Sequence, residues 1–160
     1  MSDIHFNESI ILVDLEAKTK EEVLTAMGEN LQKLGLVKES FTPAIIAREG
    51  EFATGLPTKG VSVAIPHTDV EHVITKTISF AVLKDPVEFG VMGDPEETTP
   101  VKVVFMLAMD QAHDQLSLLQ RLMQVFQDED TLNYLANEKE AVKIKNLLAE
   151  KLDFAFEGGE

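Results

Sequence analysis

The chemistry this chain can perform rests on histidine and arginine. It has four histidines, His5, His67, His72 and His113, and no cysteine. Without cysteine there is no thiolate nucleophile, no disulfide and no thiolate-bound zinc or iron–sulfur cluster. His67 holds the most suggestive position. Val61, Val63 and Ile65 alternate with Ser62 and Ala64, which predicts a strand running directly into Pro66-His67. The carboxyl end of a strand is where open α/β sheets place their sites. Pro66 stiffens the turn by fixing its own φ. A neutral imidazole is a nucleophile, and an ordinary pKa near 6.5 keeps it neutral at cytosolic pH. The same position also suits a histidine that only shapes a turn.

His113 follows an apolar stretch, Val101 to Met109, and stands at the start of a predicted helix. Free N–H groups and the dipole favour an anion there, and an imidazole at that point can hydrogen-bond a phosphate or simply cap the helix. Arg48 falls on the last turn of another predicted helix. Its guanidinium suits bidentate contact with phosphate oxygens, or it serves the helix dipole alone. Glu49 beside it either orients that guanidinium or is solvated. His72 lies in the polar run Asp69-Val70-Glu71-His72 and reads as a solvated face, and His5 sits in a terminal segment. Metal pairs such as His67 with Asp69, or His113 with Asp114, have a spacing too common to be specific. The P-loop consensus, the G-x-S-x-G elbow and the H-E-x-x-H motif are all absent.

Elements must bring these residues together. Ile10 to Val13 predicts a first strand. Thr19 and Glu22 form a capping box before Val23, Met27, Leu31 and Leu34, which share one helix face ending at Gly35. Thr42 as N-cap and Pro43 at the first position open a second helix that Gly50 should stop. Gly50 to Gly60 predicts a loop. Ile78, Phe80 and Val82 alternate as a strand, and Pro86 to Pro100 reads as a turn-rich acidic excursion. Val101 to Met109 predicts a strand buried on both faces, central in its sheet. Leu116, Leu119, Met123 and Phe126 mark a helix face, Asp128 or Asp130 is placed to cap a short helix through Leu135, and Ile144, Leu148 and Leu152 mark the last helix.

The pattern predicts an α/β single-domain sandwich: a mixed, largely parallel sheet of about five strands flanked by helices on both faces. Residues 1–152 form the domain, and 153–160 a tail in which Phe154 and Phe156 are candidate anchors. At 160 residues the chain can bury a core unaided. Lys and Arg number 14 against 28 Asp and Glu, a net charge of −14. Nucleic-acid binding needs a basic footprint, and this chain has none, whereas a basic partner surface suits it. The sequence has no apolar run long enough to span a bilayer and no signal-peptide pattern at its start, so a cytoplasmic protein without membrane insertion is expected.

Three segments, in order, resemble one known family. Gly60-Val61-Ser62-Val63-Ala64-Ile65-Pro66-His67 is similar to the G-x-x-x-A-I/V-P-H segment of the enzyme IIA component of the phosphoenolpyruvate-dependent sugar phosphotransferase system, in its fructose–mannitol superfamily. Ala47-Arg48-Glu49 resembles that family's R-E pair, and Asp110-Gln111-Ala112-His113 its second histidine. Gly35 to Phe41, Ala47 to Glu49 and Thr54 to Thr58 are closest to the galactitol type. Mannitol-type members often carry an acidic residue where Val61 and Ser62 stand here, so that carboxylate is not carried over.

The resemblance implies a phosphotransferase with His67 as phosphoryl acceptor on Nε2, forming tele-phosphohistidine. His113 and Arg48 would bind the phosphoryl oxygens, while Glu49 and Thr68 support. Thr68 would either donate a hydrogen bond or set the tautomer of His67, whose Nδ1–H would be held by a backbone carbonyl or a hydroxyl. Neither a cofactor nor magnesium is implied, because the donor is a protein phosphoramidate. The implied partners are the phosphocarrier HPr, a IIB component carrying the acceptor cysteine on another chain, and indirectly the membrane component IIC. A regulatory module of the nitrogen-related type, or a non-enzymatic ligand- or metal-binding domain, are the alternatives.

Overall fold

In the computed structural model, which describes residues 5–152, strand β1 (Ile11–Leu15) hands over to helix α1 (Lys20–Lys33) at the expected capping residues. Thr19 Oγ1 accepts the Glu22 N–H at 3.2 Å, and the Glu22 carboxylate accepts the Lys18 N–H at 2.9 Å. One open donor of the first turn and one just before the helix are thereby satisfied. Val23, Met27 and Leu31 are buried as their spacing requires, and Leu24 joins them. Leu34 instead sits at the C-cap and is exposed. Gly35 adopts φ +76°, the left-handed conformation that ends helices at glycine.

Helix α2 (Phe41–Glu51) starts earlier than its sequence signals suggest. Ser40 occupies the N-cap position without a side-chain cap bond, so Thr42 lies inside the helix. Full burial of Phe41 sets this start. Thr42 is buried against α1, where a Cβ on Gly28 would come within 2.3 Å of Thr42 Oγ1. A glycine is needed for that crossing. Gly50 does not stop the helix, which runs on to Glu51.

The expected loop after α2 contains a two-residue strand, β2 (Gly55–Leu56), folded antiparallel onto β3 (Ser62–Ala64). The stretch from Pro86 to Pro100 is the largest departure from expectation. It is part of a long antiparallel hairpin, β4 (Thr77–Val91) and β5 (Asp94–Ala108). Its turn is Met92-Gly93, with Gly93 at φ +80°. Val87 and Phe89 are buried on either side of exposed Glu88, a strand alternation hidden in sequence by prolines and acids. Pro86 falls where the register slips between Val82 and Val87, a place where a missing N–H costs little.

The sheet order is β1-β4-β2-β3-β5, and β4 also pairs with β5, so four strands close a ring. The pairings β1–β4, β2–β4 and β3–β5 are parallel. The pairings β2–β3 and β4–β5 are antiparallel, the second being the longest ladder. Thr77 to Leu83 and Val103 to Ala108 are buried without a break, as in strands covered on both faces. Helices α3 (Ala112–Val125), α4 (Glu129–Asn137) and α5 (Ala141–Lys151) complete a single α/β domain. Asp128 caps α4, accepting from Thr131 N–H and Oγ1 at 3.3 and 2.7 Å. The tail 153–160, with Phe154 and Phe156, lies outside the described residues.

This topology prepares one edge. Parallel strands β3 and β5 both end there, and β4 begins there, with Thr77 opposite Ala108. Past the end of β3 the chain still follows β5, since Leu107 N–H donates to the Pro66 carbonyl at 3.0 Å.

Candidate functional site

His67 stands at that edge, half-buried, three residues beyond the end of β3. Its Nδ1 lies 2.8 Å from the Ile65 carbonyl oxygen. A carbonyl only accepts, so Nδ1 carries the proton and Nε2 keeps its lone pair. Burial pushes the His67 pKa below the usual 6.5, the bond to Ile65 opposes that shift, and the Arg48 charge adds to it. The ring is thus held neutral, in one tautomer, with Nε2 as the free nitrogen.

Arg48 is carried by the last turn of α2, close enough for its charge to act on His67. Its guanidinium carbon sits 5.2 Å from the centroid of the Phe52 ring, a cation–π contact. Phe52 itself is 58% exposed. No pattern in the sequence marks this contact, since an aromatic just beyond a helix end has no periodicity to single it out.

Glu49 is not solvated and does not reach its neighbour's guanidinium. It is buried, and both its oxygens accept from Thr54: Oε2 from the backbone N–H and Oε1 from the hydroxyl, each at 2.8 Å. Burial raises the Glu49 pKa, against the lowering effect of the two Thr54 bonds. Thr54 Oγ1 in turn accepts the Ile65 N–H at 3.2 Å. The resemblance implies a backbone carbonyl or a hydroxyl at Nδ1, and the Ile65 carbonyl stands there; for Thr54, part of the galactitol-like segment, it implies no role. Thr68 is buried directly after His67, and the tautomer-setting contact falls to Ile65 rather than to it.

His113 lies on the exposed first turn of α3, just beyond β5. The structure therefore puts the two histidines at the carboxyl ends of adjacent parallel strands. Asp114 beside it pairs with the buried Lys76 at 3.2 Å, which fixes this end of α3 to the start of β4. His5 is joined to the same strand start through its backbone, donating to the Lys76 carbonyl and accepting from Thr77 Oγ1. His72 is not merely a solvated face: its Nδ1 lies 2.8 Å from Ser40 Oγ at the start of α2. Among the described residues no group of three or more His, Cys, Asp or Glu side chains is placed to hold a metal ion.

The fold and site together define an α/β domain that presents a tautomer-fixed histidine beside an arginine at the carboxyl edge of its sheet. Residues 4–151 match the family described as "Phosphoenolpyruvate-dependent sugar phosphotransferase system, EIIA 2", and the chain belongs to that family. It is a phosphotransferase, a phosphoryl-transfer component of the kind that works through phosphohistidine. It is 30% identical over 135 residues to the galactitol-specific EIIA component of Escherichia coli (strain K12), covering 84% of this chain and 86% of that one. It is 29% identical over 153 residues to the mannitol-specific enzyme IIA component of Halalkalibacterium halodurans, covering 94% and 98%. Its fold matches Escherichia coli enzyme IIA mannitol, solved in complex with phosphorylated enzyme IIB mannitol, with a TM-score of 0.71. That match has 25% identity and covers 94% of this chain and 99% of the other. No described helix is long and apolar enough to cross a membrane.

Proposed function

We propose that His67 accepts a phosphoryl group from phosphorylated HPr and passes it to a cysteine of a separate IIB protein, in a cytoplasmic branch of a polyol transport system. The observation that carries this reading is the Nδ1 bond to the Ile65 carbonyl, which leaves Nε2 as the nucleophile. In the first step the Nε2 lone pair forms the new N–P bond. The donor's N–P bond breaks, and its electron pair returns to the donor nitrogen. The Nδ1 proton of His67 stays where it is, shared with Ile65. In the second step the IIB thiolate forms an S–P bond, and the His67 N–P electron pair returns to Nε2.

Such transfers pass through a loose, metaphosphate-like state with charge on the equatorial oxygens. Arg48 and His113 are the groups assigned to that charge, Arg48 as a permanent cation and His113 as a hydrogen-bond donor. Thr68 and Glu49 support from behind. These residues include no cysteine, so the acceptor thiolate is the IIB component's own. Exposed Phe52, beside Arg48, and exposed Leu116, one turn after His113, give the two carriers an apolar surface to meet in turn. The net charge of −14 suits a basic partner.

The galactitol type is the subtype proposed, on the galactitol-like segments and the 30% identity to that relative. The mannitol-type relative, at 29%, falls in the same wider polyol class.

The test is intact mass after incubation with phosphoenolpyruvate, enzyme I and HPr. Wild type and His72→Ala should each gain one acid-labile phosphoryl group, and His67→Ala none. A phosphoryl group on His67→Ala would overturn the assignment, and no gain on wild type with an active carrier would overturn the carrier reading.

A further inference from the structure

Behind His67 lies a chain of buried polar contacts that the transfer chemistry does not itself use. Glu49 is 2% exposed and Thr54 4%, and they sit on either side of the exposed Phe52. A buried carboxylate is costly unless every acceptor is engaged. Here each oxygen has a donor, and both donors come from one residue. The Thr54 hydroxyl has a single proton, which it gives to Glu49. Its oxygen is then free to accept the Ile65 N–H, as observed. Ile65 is thus held at its amide by Thr54 and receives the His67 Nδ1–H at its carbonyl. Pro66 follows directly and restricts Ile65 to extended backbone. Glu49 also adjoins Arg48 on α2, so the same carboxylate ties the arginine-bearing turn to the histidine-bearing one.

We propose that Glu49 and Thr54 are positioning residues that act through Ile65 to fix the tautomer and aim of the His67 imidazole and its register with Arg48. The role rests on His67 being the phosphoryl acceptor, but the tautomer it sets is measurable without any transfer. Neither residue touches the phosphoryl group. Losing the hydroxyl frees the Ile65 amide, lets its carbonyl drift, and releases Nδ1 from a single donor state. Small misplacement of a reacting atom is enough to cost on the order of ten- to a hundredfold in rate.

The experiment compares wild type, Thr54→Val, Thr54→Ser and Glu49→Gln. One readout is the His67 tautomer, by long-range ¹H–¹⁵N NMR. The other is the rate of phosphoryl uptake from phosphorylated HPr. Wild type should show the Nδ1–H form alone. Thr54→Val should mix the tautomers and slow uptake by about tenfold or more, and Thr54→Ser should restore both. Glu49→Gln keeps the shape but can accept only one of the two Thr54 donors, so it should fall between; it carries the test if Thr54→Val does not fold. An unchanged tautomer in folded Thr54→Val or Glu49→Gln overturns the proposal even if uptake slows, because that slowing would be a general structural defect. A mixed tautomer in wild type overturns it as well. A tautomer shift in Thr54→Val together with no uptake by wild type would sustain the positioning network and remove the carrier reading instead.

Discussion

His67 and His72 lie on one connection, between β3 and β4, and both are half-buried. Each places Nδ1 in a hydrogen bond of 2.8 Å. The partners differ in kind. The Ile65 carbonyl can only accept, so it dictates where the His67 proton sits. The Ser40 hydroxyl can donate or accept, so it leaves the His72 tautomer open. The two histidines also connect to opposite ends of α2. His72 meets Ser40 at the start, and its carbonyl accepts the Lys38 N–H at 2.9 Å. The frame of His67 is tied through Thr54 to Glu49, near the end, where Arg48 also sits. One attachment holds the connection to the start of α2, and the other fixes which nitrogen of an imidazole carries the proton. Burial and the presence of a hydrogen bond do not separate them. The type of acceptor and the neighbouring cation do.

The contrast breaks most sharply at Arg48. Replacing it with methionine keeps much of the bulk and removes the cation. Uptake of the phosphoryl group should fall on the order of a hundredfold, as when a preorganised donor to developing charge is lost. A second effect follows from the direction of the His67 pKa. Uptake needs the neutral ring, and that pKa is held below 6.5, so the acid limb of the wild-type rate lies below 6.5. Arg48 contributes to the lowering, so in Arg48→Met the limb should move upward. Burial, the larger cause, remains and keeps it under the free value. Rapid-quench uptake across a pH series checks both effects. A limb that stays put would mean that the guanidinium does not act on this imidazole.

A smaller change should come from Phe52, which holds the guanidinium from its ring face. An exposed cation–π contact is worth about 0.5–1 kcal/mol, so Phe52→Ala should slow uptake by about two- to fivefold if that contact only positions Arg48. A larger loss that high HPr concentration rescues would assign Phe52 to docking as well. The same rapid-quench assay at several HPr concentrations separates the two.

The parts of this arrangement that were legible in sequence are those with a local signal. The Thr19 cap, the strand running into Pro66-His67, the apolar strand before His113 and the R-E pair each lie within a few residues of their own evidence. The β4–β5 hairpin was hidden because Pro86 and the acids from Asp94 to Glu97 mimic loop composition. They sit at a bulge and beside a turn, and the pairings from Val87–Val101 through Phe89–Thr99 to Val91–Asp94 show strands on both sides. The start of α2 was misplaced because Thr42-Pro43 is a good capping signal overruled by burial of Phe41. Thr54 was invisible for another reason. Its value comes from contacts with Glu49 and Ile65, 5 and 11 residues away in sequence, and no spacing rule connects a loop hydroxyl to a backbone amide across a sheet edge.

The smallest effect tests the other histidine. Ser40→Ala removes the hydroxyl partner of His72 at a position that is already exposed, where water can replace it. An exposed hydrogen bond of this kind contributes about 0.5–1 kcal/mol, which urea denaturation can resolve as a lower midpoint with an unchanged slope. Phosphoryl uptake should not change, because the attachment at the start of α2 sets no tautomer and lies away from the Glu49–Thr54 contacts at its end. The two ends of one helix would then be separable, with stability lost at one and rate at the other. A slowed uptake in Ser40→Ala would show that α2 transmits displacement along its length. The two histidines would then share one mechanical frame rather than serve separate roles.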